Sequence, residues 1–95
     1  MSQPKANTND FNDAATRVKK LPSLPKDILL RLYGLFKQAT QGDQKEGPRP
    51  GVFDLSGRAK FDAWAQFLGT KREVAEKEYI ALVEDLERDH AIDKF

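Results

Sequence analysis

The sequence predicts an all-α fold, a four-helix bundle with one long connection between the second and third helices. Three observations predict it. Apolar residues recur at helical spacing in four separate segments, Val, Ile and Thr are few with no sustained period-two alternation, and most of the Gly and Pro fall between the segments or at their ends.

The first helix is expected over about residues 10–20. Thr8 or Asn9 offers a cap, and Asp10 and Asp13 suit the positive end of the helix dipole. Phe11, Ala14, Ala15 and Val18 form a stripe at i, i+3, i+4, i+7, and Pro22 and Pro25 close the segment. The second helix spans residues 26–41. Pro25 is harmless near its first turn, where an N–H has no helical partner. Ile28, Leu29, Leu32, Leu35, Phe36 and Ala39 cover one broad face, and Gly42 is a stop signal. Residues 42–56 hold Gly42, Gly47, Gly51, Pro48 and Pro50, a length that suits a functional loop or a crossover between distant helix ends.

The third helix is expected over residues 57–68, with Phe61, Trp64 and Leu68 on one face, Phe67 at its edge and Gly69 as terminator. The fourth opens on Thr70-Lys71-Arg72-Glu73, a capping-box pattern, and runs to about residue 89. Ala75, Tyr79, Leu82, Val83 and Leu86 lie on one side of it.

A chain of 95 residues supports one small domain, residues 1–95, with residues 1–8 read as a flexible N-terminal extension. Its composition removes whole classes of chemistry. Without Cys there is no disulfide, thiolate metal site or cysteine nucleophile. The single His90, close to the C-terminus, cannot build a multi-histidine metal site and is a poor base for a triad, so neither a metal nor a catalytic set is expected. No Gly-rich phosphate loop is present, no cofactor is implied, and the abundant carboxylates include no pair marked out for acid–base work. No apolar run approaches ~18 residues, so no transmembrane segment is expected. The first residues lack the apolar stretch of a signal peptide, so none is expected.

The formal net charge of +1 argues against a nucleic-acid-binding domain, but it is a cancellation. Between residues 17 and 37, Arg17, Lys19, Lys20, Lys26, Arg31 and Lys37 face Asp27 alone, whereas residues 73–95 are strongly acidic. Solvated faces would account for both runs.

Some polar groups fit that explanation less well. On a helical wheel Tyr33 and Lys37 share the shoulder of the second helix's apolar face, with Leu30 beside Lys37. A boundary tyrosine and a snorkelling lysine would explain these two. Lys60 borders the Phe61/Trp64 face, Lys19 adjoins Val18, and Tyr79 sits within an apolar stripe. Aromatic faces with isolated ammonium groups suit a ligand with a flat ring, several phosphates and an apolar part. They also suit a helical protein-interaction module using the Tyr33/Lys37/Lys60 surface, or, with fewer cations than expected, single-stranded nucleic acid.

At these residues the sequence resembles the acyl-CoA-binding protein family. Tyr33-Gly34-Leu35-Phe36-Lys37-Gln38-Ala39-Thr40-Gln41-Gly42-Asp43, Arg49-Pro50-Gly51 and Gly57-Arg58-Ala59-Lys60-Phe61-Asp62-Ala63-Trp64 are similar, in order, to the family pattern Tyr-x-x-Tyr-Lys-Gln-Ala-Thr-x-Gly-Asp, Arg-Pro-Gly and Gly-Lys-Ala-Lys-Trp-Asp-Ala-Trp. The likeness extends from Phe11 to beyond Tyr79.

The resemblance implies a bundle in up-down-down-up order, the long loop being the crossover between two parallel middle helices. It implies non-catalytic, one-to-one binding of medium- and long-chain acyl-CoA by a cytoplasmic monomer, with no nucleic acid and at most transient membrane contact. Carried onto this chain, Tyr33 would stack on the adenine, Lys37 would pair with the 3′-phosphate, and Lys60 would reach the phosphates or adenine. Lys19 would reach the ligand from the first helix and Tyr79 would close the site from the fourth. Leu29, Leu30 and Ala59 would wall the acyl groove. Phe36 stands where the family usually has a second tyrosine, Ser56 where it has a lysine and Phe61 where it has a tryptophan. The first two belong to the expected ligand-binding set, each lacking a polar contact that the family residue would make.

Overall fold

In the computed structural model, residues 8–45 and 47–91 are described and form four helices: α1 (Thr8–Val18), α2 (Lys26–Gln41), α3 (Leu55–Ala65) and α4 (Arg72–Ala91). Of the expected N-terminal extension, residues 1–7 lie outside the described residues. Helix α1 already contains Thr8 and Asn9, so neither is a cap lying before it, and it ends at Val18 with its chain turning through residues 19 and 20.

Helix α2 has the expected bounds because both ends are punctuated. Pro25 occupies the N-cap and its carbonyl accepts the Leu29 N–H, while Gly42, at φ 76°, turns the chain out and donates its N–H to the Gln38 carbonyl. Helix α3 starts two residues before the expected position. Asp54 is its N-cap, its carboxylate accepting the Gly57 N–H at 2.9 Å. It stops at Ala65, and tighter turns carry the chain through residues 66–69 to Gly69, at φ 88°. This early stop swings Phe67 into the core and leaves Leu68 59% exposed, the reverse of the expected face. The capping box at Thr70 does not frame α4, which begins at Arg72, two residues on. The Thr70 backbone serves the bundle instead, donating to the Phe67 carbonyl and accepting from Gln38.

One core joins α1, α2 and α4: Phe11, Ala14, Leu32, Leu35, Ala39, Ala75, Tyr79, Val83 and Leu86, with Phe67 added from the segment after α3. Contacts fix the helix directions. Phe11 meets Tyr79 and Arg17 bonds Glu87, so α1 and α4 run in the same sense. Lys60 meets Tyr33 and Trp64 meets Lys37, so α2 and α3 also run together. Arg31 pairs with Glu78 whereas Ala39 meets Arg72, so α2 and α4 are opposed.

Two devices hold α3 on α2. Gly34 is buried at the crossing, and a Cβ there would overlap the Ala63 carbonyl oxygen, so only glycine allows this approach. Trp64, 3% exposed, donates its indole N–H to the Gly42 carbonyl at 2.9 Å. The far end of α2 is tied to the segment leading into α4 by Gln38. Its fully buried amide donates to the Thr70 carbonyl at 2.7 Å and to Asp43 Oδ1 at 2.9 Å.

Candidate functional site

The site begins with what the core leaves uncovered. Leu29 and Phe36 fall on the broad apolar face of α2, yet they are 51% and 38% exposed, because they face an open cavity rather than a neighbouring helix. That cavity, about 600 Å³, lies between α1, α2 and α4. It falls within the range typical of small-molecule sites, roughly 300–1,000 Å³. Val18, Leu24, Leu29, Leu32 and Phe36 make its walls apolar, and Asn12, Thr16, Lys19, Tyr33 and Tyr79 add polar groups.

An aromatic cluster forms one wall. The Phe11 and Phe36 ring centroids are 5.4 Å apart, Phe11 and Tyr79 are 5.0 Å apart in an edge-to-face arrangement, and Phe36 and Tyr79 are 6.1 Å apart. Phe36 thus holds its position by ring packing, with no hydroxyl needed. Tyr79 is 4% exposed, and burial pushes its phenol pKa up, so it remains a neutral donor at physiological pH. Among the described residues its hydroxyl has no hydrogen-bond partner, which leaves that donor free for the cavity.

Tyr33 links this cavity to α3. It lines the cavity, and Lys60 Nζ lies 5.8 Å from its ring centroid. One turn along α2, Lys37 Nζ sits 4.7 Å over the Trp64 ring. The aromatic residues therefore hold two ammonium groups near one edge of the site. Lys19, exposed at the end of α1, contributes a third at the cavity rim.

Of the residues expected from sequence, Lys19, Leu29, Tyr33, Phe36 and Tyr79 gather at this cavity, with Lys37 and Lys60 flanking Tyr33. Leu30 and Ala59 line a second cavity of about 420 Å³ between α2 and α3, beside Asp27, Arg31, Asp62, Ala63 and Gln66. The expected acyl groove is thus split across the start of α2, with Leu29 on one side and Leu30 on the other. Ser56 is exposed in the first turn of α3 and lines neither cavity. Sequence reasoning missed Asn12, Thr16 and Leu24. The i, i+4 spacing of Asn12 and Thr16 was the available signal, and the Thr16 hydroxyl donates to the Asn12 carbonyl at 3.1 Å. Among the described residues no group of His, Cys, Asp and Glu is arranged to hold a metal ion, and no helix is long and apolar enough to cross a membrane.

A family model described as "Acyl CoA binding protein" matches residues 8–83. The chain is 54% identical over 77 residues to an acyl-CoA-binding protein homolog of Manduca sexta, spanning 80% of this chain and 86% of that one. It is 50% identical over 80 residues to acyl-CoA-binding protein homolog 1 of Caenorhabditis elegans, spanning 83% and 92%. Among solved structures it is similar to acyl-CoA-binding protein 2 of Oryza sativa, with TM-score 0.84, 39% identity and coverage of 87% and 90%.

Proposed function

The chain belongs to the acyl-CoA-binding protein family, and from that premise we propose that it binds medium- and long-chain acyl-CoA esters one to one, without catalysis, as a monomeric cytoplasmic carrier. One observation carries this reading: Tyr33 lines the apolar cavity and also lies beside the Lys60 ammonium group, so one side chain joins an alkyl-binding space to a phosphate-binding edge. A ligand with an alkyl chain at one end and an adenosine phosphate at the other matches that joint.

In this reading Tyr33 stacks on the adenine, Lys37 takes the 3′-phosphate as a point charge, and Lys60 and Lys19 neutralise the remaining phosphates from either side. The Tyr79 hydroxyl donates to the polar middle of the ligand. Phe36 supplies apolar surface where a tyrosine would have supplied a further hydroxyl. The acyl chain lies over the start of α2, on Leu29 in the larger cavity and on Leu30 and Ala59 in the smaller. Ser56 makes at most a solvent-exposed contact with the phosphates, consistent with its place outside both cavities.

Native mass spectrometry with palmitoyl-CoA, free CoA, palmitate and a short oligonucleotide tests the ligand class. We expect a single palmitoyl-CoA adduct to dominate. Preferential retention of palmitate, or of the oligonucleotide, would contradict a site that needs both the adenosine phosphate and the alkyl chain.

A further inference from the structure

The end of the crossover loop carries an apolar tip that neither the core nor the ligand site uses. Val52, Phe53 and Leu55 are 63%, 98% and 74% exposed. They are held outward by a defined turn: the Asp54 N–H bonds the Gly51 carbonyl at 3.0 Å, placing Val52 and Phe53 at its two corners. The Asp54 carboxylate then caps α3, so the tip is fixed to the start of that helix.

We propose that this tip is a membrane-docking element that inserts Phe53, Val52 and Leu55 into the interfacial layer of a phospholipid bilayer. Size, charge and continuity favour a bilayer over other partners. Three exposed apolar residues fall far short of the roughly 20–30 residues a side of a standard protein interface, so the tip is too small to hold a second copy of the chain. Phe53, almost fully exposed at the corner of the turn, suits insertion into a fluid layer. The surrounding stretch from Asp43 to Asp62 balances Lys45, Arg49, Arg58 and Lys60 against Asp43, Glu46, Asp54 and Asp62, so it offers no charge excess for a polyanionic or basic partner. Several of those carboxylates are occupied internally: Asp54 by the Gly57 N–H, Asp62 by Arg49, and Asp43 by Gln38 and the Gly69 N–H.

Continuity ties the tip to the site. Leu55 and Ala59 are four apart on α3 and share a face, and Ala59 lines the α2–α3 cavity with Leu30. One turn of α3 therefore separates the tip from the surface assigned to the acyl chain, a link that rests on the ligand reading above. Docked in this way, the protein would exchange its ligand with the bilayer at the start of α3.

Ligand-free protein should bind phosphatidylcholine vesicles weakly and reversibly in a flotation assay, and a minor share of phosphatidylserine should change this little. The double variant Phe53→Ser/Leu55→Ser should bind about 10- to 100-fold more weakly, given the apolar burial it forgoes. Its melting temperature and its palmitoyl-CoA affinity without vesicles should match the parent. The proposal is overturned if the parent ignores vesicles, if the double variant binds them equally, if binding requires phosphatidylserine, or if the substitutions abolish self-association of the parent instead. Vesicle binding is read on ligand-free protein and ligand affinity without vesicles, so failure of one does not imitate failure of the other.

Discussion

Lys37 Nζ lies 4.7 Å above the ring of Trp64, so the cation proposed to pair with the 3′-phosphate rests on the aromatic side chain that packs α3 against α2. At a partly exposed site such a contact contributes about 0.5–1 kcal/mol. A partly desolvated lysine–phosphate contact contributes about 1–3 kcal/mol. Lys37→Ala should therefore weaken palmitoyl-CoA binding by roughly tenfold to a hundredfold while lowering the melting temperature by only a few degrees. Calorimetry paired with thermal melting checks this. Intact affinity with a large melting loss would make Lys37 a structural residue.

Trp64 is the other half of the pair, and its removal should act on the fold. Trp64→Ala deletes a buried indole and orphans the Gly42 carbonyl, so about 3–5 kcal/mol of stability should be lost. Trp64→Phe keeps a ring and loses the hydrogen bond, for a smaller cost of about 0.5–1.5 kcal/mol. Equal losses in the two variants, measured by urea unfolding, would contradict this division.

Gly34 sets the distance between α2 and α3. Gly34→Ala places a methyl group against the Ala63 backbone and the Phe67 ring, and the forced separation should cost about 1–3 kcal/mol despite alanine's better helix propensity. Gly51→Ala, at a site with open space around it, should stay within about 0.5 kcal/mol of the parent. A stabilised Gly34→Ala protein would show that the helices can part without loss.

These relationships mark the limit of what the sequence made legible. Periodicity located all four helices, and α2 matched its bounds because Pro25 and Gly42 act through local backbone geometry. The start of α3 was misjudged because Gly57 reads as a boundary when the cap is Asp54, three residues earlier. Phe67 and Leu68 exchanged places because a helix ending at Ala65 changes which side chain points inward. Gln38 is buried without being apolar, and hydropathy cannot anticipate the Thr70 and Asp43 partners that satisfy its NH2 group. The candidate ligand residues stood out as residue types on a helix shoulder. Their division between two cavities did not, since that depends on how α1 and α3 each stand off α2.

Asp43 predicts an acid limb to stability. The Gly69 N–H, at 2.8 Å, and then the Gln38 amide hold its carboxyl below the usual aspartate range. The hydrogen bonds from Arg49 do the same for Asp62. A pKa lowered by folding stabilises the native state at pH values above the unfolded value of about 3.9, and this contribution is lost as pH falls through the folded value. Melting temperature should therefore hold above about pH 4 and decline below it. Asp43→Asn should melt lower than the parent at neutral pH, with the gap closing in acid. A gap that stays constant down to about pH 2 would remove Asp43 from this account.

The central claim is that one site joins an alkyl-binding cavity to a phosphate-binding edge through Tyr33. Each buried methylene contributes about 0.8 kcal/mol, so a palmitoyl chain offers on the order of 10 kcal/mol before ordering costs, well above any single lysine–phosphate contact. Titration calorimetry of palmitoyl-CoA against free CoA tests the claim most directly. The account predicts one site per chain, with palmitoyl-CoA bound orders of magnitude more tightly than free CoA; equal affinities for the two would contradict it.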